Sequence, residues 1–141
     1  MDVGGKMAKT FNLEIIASDH PFFKGDCEIL VFTGLDGEFG ILPNHEEMVT
    51  GITAGELKFK IDGVWNYAAV SDGFVEIMPN YVVLLADTVE KPEEIDAKRA
   101  EEAKMRAKEQ LRQKQSIKEY YITQAALNRA MNRLKVKNRR I

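Results

Sequence analysis

The sequence predicts an α+β protein: a β-sandwich or flattened barrel followed by a hairpin of two helices. Apolar residues alternate with polar ones in several short runs before Pro92 and recur at helical spacing after it. Eight of the ten glycines lie between Gly25 and Gly73, and none follows. Residues 1–90 hold 15 acidic and 5 basic residues, a net charge of −10, whereas 91–141 hold 7 acidic and 15 basic residues, a net charge of +8. Two structural units of opposite charge are therefore expected.

The first unit is predicted to be built from short strands. Turn signals separate the apolar runs about every 8–12 residues, which is typical of a sandwich or barrel. The predicted strands are Phe11–Ala17, Cys27–Thr33, Glu56–Ile61, Val64–Ala68, Gly73–Met78 and Tyr81–Ala86. Asp62 and Gly63 separate two of these runs and predict a two-residue hairpin turn. No segment between 10 and 88 has a helical period.

The second unit is predicted to be an αα-hairpin. Pro92, followed by two glutamates, is a helix-start signal. The first helix has a narrow, alanine-rich face formed by Ala100, Ala103, Ala107 and Leu111. Around 113–115 the pattern weakens, and Ser116 with Glu119 predicts the capped start of a second helix. The residues predicted to form the packed stripe of this helix are Tyr120, Gln124, Leu127, Met131 and Leu134. Alanine faces bury little area, so the hairpin is either a movable element or one that stays docked.

Composition excludes several protein classes. Cys27 is the only cysteine, so no internal disulfide can form, and its apolar surroundings predict a packed thiol. No apolar run approaches the roughly 20 residues of a membrane-spanning helix. Residues 1–7 are interpreted as a leader or disordered N-terminus, which leaves domains at 8–90 and 91–141.

The sequence offers no candidate for catalysis or for metal binding. His45 follows the glycine-rich segment that begins at Gly37, but His20 is the only other histidine and no cysteine cluster accompanies them. A phosphate loop is excluded because no Gly-Lys-Ser/Thr follows the glycines. No nucleophile lies beside a base, so we predict a non-catalytic protein without a metal.

The second helix predicts an acidic partner. It carries Lys118, Arg129, Arg133, Lys135, Lys137, Arg139 and Arg140 against the single acid Glu119. Such a run is often only a solvated helix face. Nucleic acid is one candidate partner, but no aromatic stacking platform accompanies the charge, and the acidic first unit would repel phosphate.

Three segments in register resemble the epsilon subunits of bacterial F-type ATP synthases. They are Gly37–His45, then Val70–Glu76 continuing to Leu84–Thr88, then Glu94–Ala100 followed by Arg129–Leu134. The resemblance covers about residues 8–138. Glu47, Asp72 and Val89 depart from the family's usual proline, glycine and alanine, which affects only local turn detail.

The resemblance implies a ten-stranded β-sandwich followed by an antiparallel helical hairpin. It also implies a non-catalytic subunit of the rotor's central stalk, peripheral to the cytoplasmic face of the bacterial plasma membrane, that couples proton translocation to ATP synthesis. The implied partners are the gamma subunit, the c-ring and acidic segments of the catalytic alpha/beta hexamer. The extended hairpin would inhibit ATP hydrolysis. The predicted partner contacts are Phe39, Leu42, His45, Lys118, Lys135 and Lys137.

The resemblance further implies that ATP is a regulatory ligand of the folded hairpin. The run from Ile95 to Ala100 matches an ATP-binding motif of some bacterial members of the family. The implied ATP-binding residues are Glu90, Ile95, Asp96, Arg99, Ala100, Arg106, Arg129 and Arg133. Asp96 would accept a hydrogen bond from the adenine amino group or order Arg99, and Glu90 would contact adenine. Folding would bring four guanidinium groups together, which a polyanion would stabilise.

Two alternatives remain open. The chain could be a purely structural coupling subunit whose arginines are solvated or contact gamma. It could also be an adaptor whose basic hairpin binds nucleic acid or an acidic protein.

Overall fold

The computed structural model describes residues 9–113 and 116–139. It has ten strands, one 3₁₀ turn at Pro92–Glu94 and two helices. The strands are β1 Phe11–Ala17, β2 His20–Cys27, β3 Ile29–Gly34, β4 Gly37–Ile41, β5 Met48–Ile52, β6 Gly55–Ile61, β7 Val64–Val70, β8 Gly73–Ile77, β9 Tyr81–Ala86 and β10 Val89–Glu90. The helices are α1 Ala97–Arg112 and α2 Ile117–Lys137. The predicted leader at 1–7 lies outside the described residues.

The strands form one continuous sheet that folds into two layers. Their order is β10-β7-β6-β3-β5-β8-β9-β1-β2, with β4 paired to β3. The passage from β3 to β5 rests on the single residue pair Gly34–Ile52, which is where the two layers join. β1 and β9 are parallel, and the other pairs are antiparallel. Nineteen buried apolar residues fill the space between the layers.

The alternating runs of the sequence form strands as predicted. In β1 the residues Phe11, Leu13 and Ile15 point inward and are at most 2% exposed. The β6–β7 turn is the predicted two-residue hairpin, since Asp62 and Gly63 both have positive φ, 49° and 76°. The residues 10–88 contain no helix among those described. The predicted sandwich is confirmed.

The run from Cys27 to Thr33 is two strands rather than one. β2 ends at Cys27 and β3 begins at Ile29, and the Cys27 thiol donates a hydrogen bond to the Ile29 carbonyl oxygen at 3.1 Å. Cys27 is fully buried, so the prediction of a packed thiol is confirmed. The residue pattern did not predict the strands β2, β4, β5 and β10 individually. Glycine or proline interrupts the alternation in β2, β4 and β5, and β10 has only two residues.

The first helix begins later than Pro92 predicts. Pro92–Glu94 form only a 3₁₀ turn, and Ile95 is extended at φ −80°, ψ 123°. Asp96 then caps α1, its Oδ1 accepting a hydrogen bond from the Arg99 backbone N–H at 3.1 Å. A second cap occurs at Ser116, as predicted, whose hydroxyl accepts from the Glu119 N–H at 3.2 Å.

The alanine face of α1 is confirmed, but the predicted stripe of α2 is partly wrong. Ala100 and Ala107 are buried in α1, and Leu127 is buried in α2. Tyr120 and Met131 are 45% and 48% exposed. The other buried positions of α2 are Thr123, Ala130 and Val136. The face of α2 is shifted because its C-terminal turns pack on the sandwich as well as on α1.

Within the described residues, neither helix is long and apolar enough to cross a membrane.

Candidate functional site

The candidate site is the interface where α2 lies on the outer face of β6, β7 and β10. Three residues on adjacent strands form one row there, because Ala69 pairs with Glu56 on β6 and with Glu90 on β10. Val136, fully buried, packs on Ala69 together with Ile95. One small apolar contact is thus flanked by two carboxylates.

Each of the two carboxylates binds an arginine of the C-terminal part of the chain. Glu90 pairs with Arg133 through Nε and Nη2, both at 2.9 Å. Glu56 pairs with Arg139 through Nε at 2.8 Å and Nη2 at 3.0 Å. Each pair therefore combines one hydrogen bond donated by Nη2 with a close charge contact at Nε. Among the described residues, Arg133 Nε and Glu56 Oε2 form no hydrogen bond. The Glu56 side chain is only 5% exposed, so its charge depends on Arg139.

Two further hydrogen bonds fix the position of the helix between the strands. Asn132 donates to the Gly55 carbonyl oxygen at 2.9 Å, and Lys137 donates to the Pro92 carbonyl oxygen at 3.1 Å. Asn132 and Arg139, seven residues apart, therefore reach β6 on one side of Val136. Arg133 and Lys137, four residues apart, reach β10 and the 3₁₀ turn on the other side. The hairpin is held in a folded state by a short polar clamp around one valine.

Three of the eight predicted ATP-binding residues, Glu90, Ile95 and Arg133, lie at this interface. Glu90 and Arg133 are brought together in the ion pair described above. Ile95 belongs to the apolar contact with Val136, and Ala100 is fully buried in α1. Asp96 binds the backbone of Arg99 and not its guanidinium.

The other three predicted arginines are exposed. Arg99 and Arg106 lie on α1 and Arg129 lies on α2. None of them forms an ion pair with a carboxylate within residues 9–113 and 116–139. These guanidinium groups therefore carry uncompensated positive charge, which suits an anion such as a phosphate.

The predicted partner contacts differ in accessibility. Leu42 is 57% exposed, whereas the Phe39 ring stacks on Phe32 with centroids 5.5 Å apart and packs against the core. His45 follows the turn at Pro43 and Asn44, and its Nδ1 lies 2.7 Å from the Glu46 carbonyl oxygen. In α2, Lys118 and Lys135 are exposed, and Lys137 is partly buried by its bond to Pro92.

Sequence reasoning missed the contribution of Glu56 and Arg139. Glu56 alternates with Lys58 and Lys60 on the polar face of β6, a pattern that indicates solvent exposure. Only the docked helix buries it, and no local signal shows which strand face a distant helix covers. The basic character of the C-terminal segment was the one available hint.

The described residues contain no group of three His, Cys, Asp or Glu side chains that could hold a metal ion. Neither of two open clefts formed by the described residues is lined by any of the eight predicted ATP-binding residues.

Comparison with known proteins gives two family matches that together span most of the chain. Residues 10–92 match "ATP synthase, Delta/Epsilon chain, beta-sandwich domain", and residues 93–138 match "ATP synthase, Delta/Epsilon chain, long alpha-helix domain". The chain belongs to the ATP synthase delta/epsilon chain family. The resemblance seen in the sequence is confirmed.

Curated members of this family are similar over nearly their whole length. The ATP synthase epsilon chain of Ruminiclostridium cellulolyticum is 47% identical over 131 residues, covering 93% of this chain and 98% of the relative. That of Caldanaerobacter subterraneus is 46% identical, covering 92% of this chain and 95% of the relative.

Solved structures show the same fold at low sequence identity. A chain of the Euglena gracilis mitochondrial ATP synthase (OSCP/F1/c-ring) has a TM-score of 0.81 at 19% identity, covering 94% of this chain and 84% of that chain. A chain of the Tetrahymena thermophila ATP synthase central stalk and c-ring has a TM-score of 0.69 at 12% identity, with coverage of 94% and 98%.

Proposed function

We propose that this chain is the epsilon subunit of the central stalk of a bacterial ATP synthase and that its hairpin regulates ATP hydrolysis. Family membership over residues 10–138 supports the place in the complex. In this role the subunit is non-catalytic and peripheral to the cytoplasmic face of the plasma membrane. The sandwich contacts the gamma subunit and the c-ring, and it helps couple proton flow to ATP synthesis.

The observation that carries the regulatory proposal is the nature of the clamp. Val136, which is fully buried, is the residue that α2 contributes to the small cluster with Ala69 and Ile95. Asn132, Arg133 and Arg139 add hydrogen bonds and ion pairs to the sandwich. Polar contacts can be exchanged for water or for acidic partner groups, because a neutral hydrogen bond contributes only about 0.5–1.5 kcal/mol and one to a charged group about 1.5–3 kcal/mol. Release of the clamp would expose the basic face of α2 to acidic segments of the catalytic hexamer.

ATP is the proposed ligand of the folded form. The exposed guanidiniums of Arg99, Arg106 and Arg129 supply positive charge for the phosphates. Arg133 would exchange Glu90 for a phosphate oxygen, leaving Glu90 available to adenine. Because the sandwich supplies Glu90 and the helices supply the arginines, only the folded hairpin completes this set, so ATP would favour it.

Calorimetric titration of ATP into the isolated chain tests the ligand. We expect heat of one-to-one binding for the wild type and its loss in Arg99→Ala. Arg112→Ala is the matched control, since Arg112 is also an exposed arginine of α1 and its ion pair is with the neighbouring Glu109 at 3.5 Å. An absence of heat with the wild type, or equal affinity in Arg99→Ala, would contradict ATP binding.

The inhibitory role is tested in the complex. An ATP synthase rebuilt with a chain ending at Lys91 should hydrolyse ATP faster than one with the intact chain. Equal rates would show that the hairpin does not inhibit hydrolysis. A third complex carries the intact chain with Lys118→Gln and Lys135→Gln, two exposed lysines of α2. It separates the effect of losing positive charge on α2 from the effect of losing both helices.

A further inference from the structure

A second, chemically different site lies beyond the C-terminal end of α2. It is an open cleft of about 740 Å³ between the edge of the sandwich and the segment after β10. Its apolar wall is aromatic: Phe22 and Phe23 come from β2, Phe59 from β6 and Tyr67 from β7. This volume falls within the roughly 300–1,000 Å³ typical of small-molecule pockets.

Positive charge lines the rim of the same cleft. The Lys91 ammonium lies 5.8 Å from the Phe22 ring centroid, and the Arg139 guanidinium lies 5.3 Å from that of Tyr67. Lys137 is the third cation. Their hydrogen-bonding capacity is only partly used, since Arg139 donates to Glu56 from one terminal nitrogen and Lys137 donates to one carbonyl oxygen.

The net charge of the residues around the cleft indicates how much negative charge a ligand should carry. The cleft is lined by three cations, Lys91, Lys137 and Arg139, and by one acid, Glu93. Glu56, which lies outside the lining, neutralises Arg139 through their ion pair. One net positive charge remains. A polyphosphate would be poorly compensated here, whereas a single carboxylate or sulfonate attached to an aromatic ring would match both the charge and the wall.

We propose that this cleft binds a small aromatic anion carrying one negative charge. The ring would pack against Phe22 and Phe59, and the anionic group would lie between Lys91 and Lys137. Because the wall belongs to the sandwich while Lys137 and Arg139 belong to the C-terminal segment, the site is complete only when the hairpin is docked. Such a ligand therefore stabilises the folded hairpin independently of ATP.

Fluorescence titration of the full-length chain with anilinonaphthalene sulfonate tests the proposal. Phenylnaphthylamine, the same ring system without the sulfonate, is the matched neutral probe. We expect Phe22→Ala to weaken sulfonate binding about tenfold and Lys91→Gln about threefold, within the usual range of aromatic and cation contacts. Phe74→Ala and Lys108→Gln remove an exposed aromatic ring and an exposed lysine elsewhere, and they should leave the affinity unchanged.

Three results would overturn this assignment: equal affinity of Phe22→Ala and the wild type, equal binding of the neutral probe, or loss of binding in Phe74→Ala. Hydrogen exchange of the last turns of α2 gives an independent readout, since the bound sulfonate should slow it and an unchanged rate would contradict the link to docking. Arg99→Ala separates this site from the ATP site. It should abolish ATP heat while leaving sulfonate binding intact.

Discussion

The sandwich and the hairpin are stabilised by different interactions. The sandwich encloses 19 buried apolar residues in one cluster, including the fully buried Phe32, Leu13 and Leu84. The hairpin shares with the sandwich a cluster of only three, Ala69, Ile95 and Val136. Its other attachments are two ion pairs and a few hydrogen bonds.

This difference implies that the two units need not open together. Loss of a buried apolar residue leaves a cavity that water does not fill favourably, whereas a broken ion pair is hydrated at once. The sandwich should therefore be a fixed body, and the hairpin should detach without unfolding it.

The largest effect is expected in the sandwich core. Phe32→Ala removes a fully buried ring that stacks on Phe39 and should lower the free energy of unfolding by about 3–5 kcal/mol. Urea denaturation measures this change. Leu127→Ala in α2 is the comparison, and its cost should be smaller because the helix face around it is alanine-rich and can adjust. Equal losses of unfolding free energy in Phe32→Ala and Leu127→Ala would contradict the proposed difference in stability between the sandwich and the hairpin.

High pH should weaken the sandwich specifically. Burial raises the pKa of the Cys27 thiol from 9.0 to about 11. The unfolded chain loses this proton first, so the stabilisation is complete below pH 9 and is lost as the pH rises towards 11. The expected loss is about 2 kcal/mol. Other groups titrate in the same range, so the measurement is the difference in unfolding free energy between the wild type and Cys27→Ala across these pH values. A pH-independent difference would contradict the prediction.

A smaller effect is expected at the clamp, and it should be confined to the hairpin. Arg139→Gln leaves the carboxylate of Glu56 without its charge partner. Breaking a buried pair costs about 3–5 kcal/mol if the charge stays buried. If the hairpin lifts and hydrates Glu56, the cost is limited to the free energy of docking and should fall below that range.

The measurement for this variant is amide exchange in α2, which should accelerate while the urea midpoint of the sandwich stays constant. Lys135→Gln is the matched control because Lys135 is an exposed cation of the same helix. A shift of the sandwich midpoint in Arg139→Gln would show that the clamp supports the whole chain.

Local sequence patterns predicted the elements whose signals are local. The alternation in β1 and β6, the Asp62–Gly63 turn and the Ser116 cap all depend on neighbours within a few residues. The start of α1 was predicted too early because Pro92 and Asp96 are both start signals, and only the second is followed by continuous helix.

The candidate site was predicted less completely because it is formed by residues far apart in the sequence. Glu56 and Arg139 are 83 residues apart, and the local sequence around each of them gives no sign that the two side chains pair. The resemblance supplied Glu90 and Arg133, which the structure joins. It could not show that these two side chains form an ion pair with each other.

Native-state hydrogen exchange of the whole chain, followed segment by segment, tests the central claim most directly. The account predicts that amides of Ile117–Lys137 exchange through an opening of lower free energy than those of Tyr81–Ala86, which should exchange only on global unfolding. Exchange of both segments with the same free energy and the same denaturant dependence would show one cooperative unit and contradict a separately movable hairpin.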